Sequence, residues 1–335
     1  MSPVVTFFNN KGGVGKTSLI YHLSWMYARL GARVVAVDLD PQANLTAAFL
    51  DEPLLDELWP AGEPPQTVYG TISPLLRGVG DIGETHLLGI DERLALAPGD
   101  LSLSHFEDEL SSQWPDCLDG KERAFRVISA FRRLIDAGAA QFGADLVLVD
   151  VGPNLGAINR AALVAADHVV VPLAPDLFSM QGLRNLGPTL RDWRTQWTAR
   201  VPKNPDPTLS LPSGQMRPAG YVLQQHGVRL GRPVGAYQRW MERIPGIYRV
   251  EVLGDDTPAP TLDDDPFCLA QLKHYRSLVP MAQDAHKPVF DLKPADGAFG
   301  GHQTAVQGAH RDFIRLAHAV ADAIDLHLPD TTGHP

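Results

Sequence analysis

Nine residues near the start of the chain, Asn10-Lys11-Gly12-Gly13-Val14-Gly15-Lys16-Thr17-Ser18, bring together glycines, two lysines and two hydroxyls. Glycine leaves the backbone free to curl, so that successive N–H groups converge on an anion. Lys16 adds a positive charge, and Thr17 offers a hydroxyl to Mg²⁺. The spacing follows the phosphate loop G-x-x-x-x-G-K-[ST], except that Asn10 stands at the first glycine and a second lysine, Lys11, comes next. The expected ligand is a nucleoside triphosphate, with Lys11, Gly12, Gly13, Val14, Gly15, Lys16, Thr17 and Ser18 around its phosphates. Two ammonium groups so close repel each other unless polyphosphate lies between them.

Two pairs of elements must hold this loop. Before it, Val4-Val5-Thr6-Phe7-Phe8 reads as a buried strand. After it, Leu19, Ile20, Leu23, Met26, Tyr27 and Leu30 recur at helical spacing up to Gly31, a residue suited to a left-handed cap. The phosphates then lie at a helix N-terminus, where the dipole adds to the charge of Lys16. Carboxylates end two further apolar runs. Val34-Val35-Ala36-Val37 leads to Asp38 and Asp40, and Leu146-Val147-Leu148-Val149 leads to Asp150. In open α/β sheets ligands bind at the carboxyl ends of strands, so these acids are candidates for work on a metal or a water.

The loop with its second lysine, the segment Val37-Asp38-Leu39-Asp40-Pro41-Gln42 and the run ending at Asp150 resemble the deviant Walker A family of ATPases, the ParA/MinD group, and its ParA partition branch most. The resemblance implies an ATPase that uses ATP and Mg²⁺. Lys11 and Lys16 neutralise phosphate charge, Lys11 reaching across a homodimer to the partner's nucleotide. Asp40 positions the attacking water, while Thr17, Asp38 and Asp150 serve the metal. Tyr221-Val222-Leu223 resembles a late family strand, after which Gln224 or Gln225 is the candidate to meet adenine. The resemblance also implies slow turnover stimulated by an unseen partner or cargo adaptor, ATP-dependent non-specific DNA binding, and a role in DNA partition or cargo positioning. The chain departs from the family at Val151-Gly152-Pro153-Asn154, where relatives have two prolines, and at His286, where they have glycine. The first departure implies altered behaviour in the loop that senses the γ-phosphate.

Strands and helices alternate along the 335 residues, as expected for a doubly wound, mostly parallel α/β sheet of the P-loop type with helices on both faces. We expect one ATPase domain over 1–328, insertions near 51–93, 196–218 and 254–272, and a short tail at 329–335. Helices are expected at Phe125–Ile135, at Asp176–Leu190 and near Gln303–Leu326, the last carrying Arg311 and Arg315 on consecutive turns. The formal charge is −10, yet 184–250 holds eleven basic residues against three acids. That zone reads either as a phosphate-tracking face or as solvated helix faces paired with the acidic insertions. Cys117 and Cys268 form no metal or disulfide pattern, which fits a reduced cytoplasm, with the nucleoid as the place of DNA binding. No apolar run spans a membrane, and the tail from Leu326 has no Lys or Arg, so a MinD-like membrane-cycling ATPase is the weaker alternative. A nucleotide-binding regulatory or scaffold protein with negligible turnover is the other.

Overall fold

A computed structural model describes residues 2–59, 65–225, 234–275 and 277–329. Eight strands form one sheet: β1 (Val4–Phe7), β2 (Val34–Asp38), β3 (Leu88–Asp91), β4 (Leu94–Ala97), β5 (Leu146–Asp150), β6 (His168–Leu173), β7 (Arg217–Gln225) and β8 (Cys268–Lys273). Their order is β3-β4-β2-β5-β1-β6-β7-β8, and every pairing is parallel except the β3–β4 hairpin at one edge. The central strands are apolar throughout because both faces are covered. Side chains alternate between the faces: Val35, Val37, Val147 and Val149 pack into one core, and Val34, Ala36, Leu146 and Leu148 into the other.

The helices that matter to the site are α1 (Lys16–Arg29), α2 (Asn44–Phe49), α3 (Phe106–Asp116), α4 (Ala157–Ala165), α5 (Leu177–Arg200), α6 (Leu278–Asp284) and α7 (Gly301–Ala323). Helices α1 and α7 share the core that holds Leu23, Tyr27, Phe313 and Leu316, and the Tyr27 hydroxyl donates to the Ala317 carbonyl at 2.8 Å. Gly31 takes the expected left-handed backbone just after α1, at φ 89°.

The expected insertions contain regular structure. Region 51–93 carries the helices Glu52–Leu58 and Val68–Leu76 as well as β3. Its short Leu88-Gly89-Ile90-Asp91 alternation becomes a strand through the tight turn into β4. Residues 60–64 of that region lie outside the described residues. Region 196–218 is entered by α5, which continues past Leu190 to Arg200 because Trp193, Trp197 and Arg200 are all buried on it. The same region ends inside β7, where Pro218 sits beside a register irregularity that spares a ladder bond. Region 254–272 ends in β8, an edge strand whose Leu269 and Leu272 are buried against α7. The expected helix Phe125–Ile135 is two helices, Glu122–Ile128 and Ala130–Phe142, with Ser129 between them. The tail beyond residue 329 lies outside the described residues.

Candidate functional site

The phosphate-type loop leaves β1 near the middle of the sheet, between β5 and β6, and enters α1. Gly13 and Gly15 hold φ 72° and 77°, in the left-handed region that suits glycine. Gly15 precedes α1 and has no side chain to cap it, so no side-chain oxygen takes up the first N–H groups of the helix. Such a bare N-terminus attracts an anion. Val14 is buried and anchors the loop. Asn9, which the sequence reading passed over, donates to the Pro172 carbonyl at 2.8 Å and accepts the Lys11 N–H at 2.9 Å.

Four ionisable groups converge beneath the loop. The Lys16 ammonium is buried and donates to the Asn9 carbonyl at 3.2 Å. Burial holds its pKa below the usual lysine value, against the opposing pull of Asp150 and Asp40. Asp150 is fully buried at the end of β5. Its Oδ1 accepts the Val151 N–H at 3.1 Å, and its Oδ2 is buried with no hydrogen-bond partner. An orphaned buried acceptor of this kind costs about 1–3 kcal/mol. Burial and the neighbouring Asp38 push the Asp150 carboxyl well above the carboxylate range, while Thr17 and Lys16 draw it down. Asp38 faces Asp150 across the β2–β5 ladder. Its Oδ2 accepts both the N–H and the hydroxyl of Thr46, each at 2.8 Å, and its Oδ1 accepts the Asp40 N–H at 3.2 Å. Asp38 therefore anchors the turn into α2, and its charge stands behind Asp150. Burial also raises its pKa.

Asp40 accepts the Gln42 N–H at 3.0 Å and faces the loop after β5, where a Cβ on Gly152 would come within 3.3 Å of its Oδ1. That loop lacks the second proline of the family pattern. It is held by Asn159 of α4, whose amide donates to the Gly152 carbonyl at 3.0 Å and the Asn154 carbonyl at 2.7 Å. Glu107 of α3 accepts the Ala157 and Ile158 N–H groups at 2.5 and 2.9 Å, capping α4 from outside. Glu107 carries no sequence signal because it acts on a helix start fifty residues away, and Asn159 carries none because its bonds depend on how the loop folds back on α4.

A cavity of about 670 Å³ opens over the loop. Gly15, Thr17, Ser18, Asp40 and Gln42 line one part, and Val279, Gln283, His286 and Lys287, on and just after α6, line another. His286 adopts φ 47°, so it occupies the left-handed conformation for which the family uses glycine. Gln224, from the carboxyl end of β7, packs directly over Gly15 and donates to its carbonyl at 3.4 Å. Gln225 lies in β7, and its side chain is outside the described residues. His22 was also missed by the sequence reading. Its Nδ1 donates to the Ser18 carbonyl at 2.6 Å, its Nε2 accepts the Val289 N–H at 3.1 Å, and its ring stacks on Phe313 at 4.8 Å. This neutral tautomer ties the first turns of α1 to the segment before α7, and burial lowers its pKa to about 4.

Among the described residues no three His, Cys, Asp or Glu side chains are grouped to hold a metal by themselves. A cation at Thr17 and Asp150 would have to complete its shell with phosphate oxygens and water, the manner in which Mg²⁺ is usually bound with phosphates. The orphaned Asp150 oxygen beside Thr17 fits such an ion. Lys11 lies apart from Lys16: its ammonium meets the Asp176 carboxylate at 2.5 Å.

Much of the basic zone 184–250 is engaged within the chain. Arg200 donates to the Trp114 and Gln196 carbonyls, Arg194 to those of Gln215 and Met216, Arg191 to that of Glu251, and Arg249 pairs with Asp255. Arg229 and Arg232 lie outside the described residues.

A strand, glycine loop and helix at the centre of a parallel sheet, with acids at the ends of the two strands on one side, define a P-loop nucleoside triphosphatase fold. The family described as AAA domain matches residues 2–201, more than half of the chain. The chain belongs to that family, as a P-loop ATPase of the ParA type. It is 31% identical over 189 residues to the chromosome partitioning protein ParA of Myxococcus xanthus, covering 56% of this chain and 57% of that one. Among solved structures it is similar to a protein from Corynebacterium diphtheriae (24% identity, TM-score 0.68, covering 96% and 98% of the two chains). It is also similar to an ATP complex of McdA from Cyanothece (12% identity, TM-score 0.64, 97% of each chain). The chain spans 41% to 66% of the length of these curated relatives. No helix among the described residues is long and apolar enough to cross a membrane.

Proposed function

We propose that this chain is a nucleotide-driven switch of the ParA type, which binds Mg²⁺ and ATP, pairs with a second copy in the ATP state and resets by hydrolysis. The observation that carries the reading is the unpartnered Asp150 oxygen beside Thr17 and Lys16, at the uncapped start of α1. Glycine-loop amides and Lys16 bind the phosphates, and Gln224, which lies over Gly15, meets the nucleoside. Mg²⁺, held by Thr17 and served by Asp150 with Asp38 behind it, supplies charge neutralisation on the phosphates. Asp40 orients the attacking water against the Gly152 loop and takes up its proton. Catalysis then rests on positioning and charge compensation, as phosphoryl transfer to water requires. Lys11 completes the partner's site, so the triphosphate binds the dimer more tightly than the monomer, and its loss reverses the pairing.

The name of the Myxococcus relative, a chromosome partitioning protein, supports a role in DNA partition; non-specific DNA as the track and a separate protein that stimulates turnover are what the resemblance of the loop implies. With many of the arginines of 184–250 engaged, the face carrying Lys273, Arg311 and Arg315, the last paired with Asp312 but three-quarters exposed, around a cavity of about 920 Å³ between β8 and α7, is the better candidate for phosphate backbones. The cytoplasm, at the nucleoid, is the corresponding location. The test measures phosphate release for wild type and Asp40→Ala, then retardation of arbitrary duplex DNA with ATP or ADP across a salt series. Slow release abolished by the substitution, and ATP-dependent retardation that falls steeply with salt, are expected. No release above background from wild type overturns the hydrolytic reading in favour of a scaffold with negligible turnover, and release unaffected by Asp40→Ala overturns the role given to Asp40. Equal retardation with ADP, or none at low salt, overturns the DNA reading.

A further inference from the structure

The two oxygens of Asp176 face different partners. Asp176 is the extended residue just before α5, and its Oδ1 accepts the Ser179 N–H at 2.8 Å, capping that helix. Its Oδ2 accepts from the Lys11 ammonium at 2.5 Å. One carboxylate thus joins the first turn of a helix of more than twenty residues to the lysine of the phosphate loop. The contact is specific to this packing. Gly182, one turn into α5, has no side chain, and a Cβ there would come within 3.0 Å of the Asn10 amide oxygen and 3.2 Å of that of Asn9, so the loop lies directly against the helix. The same first turn carries Leu177 and Phe178, 53% and 71% exposed, and the Phe178 ring centre is 5.9 Å from the Lys11 nitrogen.

We infer that Asp176 is a positioning residue for Lys11: it holds the ammonium in the nucleotide-free chain and gives it up when a triphosphate takes its place. This rests on the reading above, in which Lys11 serves bound phosphate. The chemistry is an exchange of one anion for a more highly charged one. The Lys11 ammonium is already held within salt-bridge distance of a carboxylate, so it joins polyphosphate only by breaking that pair. Asp176 is well suited to be displaced, because both side chains are partly open to water, 30% for Lys11 and 22% for Asp176, and an ion pair in such a position is weak. When Lys11 leaves, the capping bond from Ser179 to Oδ1 remains, so α5 keeps its start. Phe178 then loses its cation at the moment when, on this reading, a second copy arrives. Loop occupancy and the presentation of the α5 tip are coupled through this carboxylate. Lys11 and Ser179 both hold the Asp176 carboxyl below the usual carboxylate range, so the ion pair persists throughout the neutral range.

The charge and the cap can be separated, because asparagine caps a helix about as well as aspartate but carries no charge. The experiment measures dimerisation by sedimentation with a non-hydrolysable ATP analogue and Mg²⁺, and with ADP, for wild type, Asp176→Asn, Lys11→Ala and the double variant. Thermal unfolding checks that each variant folds. Asp176→Asn is expected to tighten the analogue-dependent dimer about two- to fivefold, the range of a partly exposed ion pair. It should leave the ADP form monomeric and have no effect once Lys11 is alanine. No change or a weakening in Asp176→Asn, or the same change with Lys11 already removed, overturns the inference while leaving the nucleotide switch intact. If Lys11→Ala alone leaves the analogue-dependent dimer unaltered, the assigned role of Lys11 fails, and this inference with it.

Discussion

His22 offers a test in which pH is the perturbation and the structure sets the size of the response. The imidazole is buried, donates from Nδ1 to the Ser18 carbonyl and accepts at Nε2 from the Val289 N–H. Its pKa is lowered to about 4 from an ordinary value of 6.5. A proton on Nε2 would set two donors against each other between α1 and the segment before α7. Because the folded value lies below the unfolded one, the unfolded chain binds more protons as pH falls through 6.5. Stability from this residue is complete above that point and is lost down to about pH 4. Linkage over that window amounts to about 2 kcal/mol by pH 5 and about 3 kcal/mol at the low end.

Other groups titrate in the same interval. Asp38 and Asp150 have raised pKa values, so their protonation favours the folded chain as pH falls and opposes the histidine effect. The informative quantity is therefore the difference between wild type and His22→Leu in urea unfolding at pH 7 and pH 5. At pH 7 the variant should be less stable by about 1–3 kcal/mol, because the Ser18 carbonyl and Val289 N–H lose their partner. At pH 5 the gap should shrink by about 2 kcal/mol, because only the wild type has a neutral imidazole to lose. Parallel stability curves for the two proteins, with the same gap at both pH values, would refute the reasoning.

Two further predictions concern the loop and its acids. Gly15→Ala places a side chain at φ 77° and drives its Cβ to 2.4 Å from the Gln224 amide. Gln224 can swing away, but the backbone conformation costs about 1–2 kcal/mol at any alanine. Titration with a fluorescent ATP analogue should show a loss of affinity that adding Gln224→Ala does not restore; full rescue by that second change would mean that only the contact mattered. Asp150→Asn removes a buried carboxyl whose ionisation, forced as pH rises, costs the folded chain stability. In the absence of nucleotide the variant should melt at a higher temperature than wild type above pH 7, while losing the Mg²⁺-dependent part of the stabilisation by an ATP analogue. A lower melting temperature together with intact Mg²⁺ dependence would count against the metal assignment.

The chemistry was legible where it rests on residues adjacent in the chain. The loop 10–18 names its ligand because a phosphate cradle is made by consecutive amides, and the strands ending at Asp38 and Asp150 announce themselves by apolar runs that only a doubly covered sheet produces. Other features were opaque for equally local reasons. Strand β8, Cys268-Leu269-Ala270-Gln271-Leu272-Lys273, has no β-branched residue and follows an acidic, proline-rich stretch; it is a strand because β7 is beside it. Helix α5 outruns its expected end because Trp193 and Trp197 find a core there.

By itself the amino-acid order determined a parallel α/β sheet, a phosphate loop opening into α1, and acids at two strand ends, since each follows from spacing along one segment. Tertiary structure alone decided that Asp38 is bonded to Thr46, that Asp150 keeps a free oxygen, that Gln224 covers Gly15, that Asn159 and Glu107 hold the loop after β5, and that Lys11 meets Asp176. Most of these contacts join residues more than forty positions apart, and even the shorter ones depend on how a loop folds back. Hydrogen bonds act only within a few ångströms and screened charges within about 10 Å, so which distant groups meet is settled by how the elements pack.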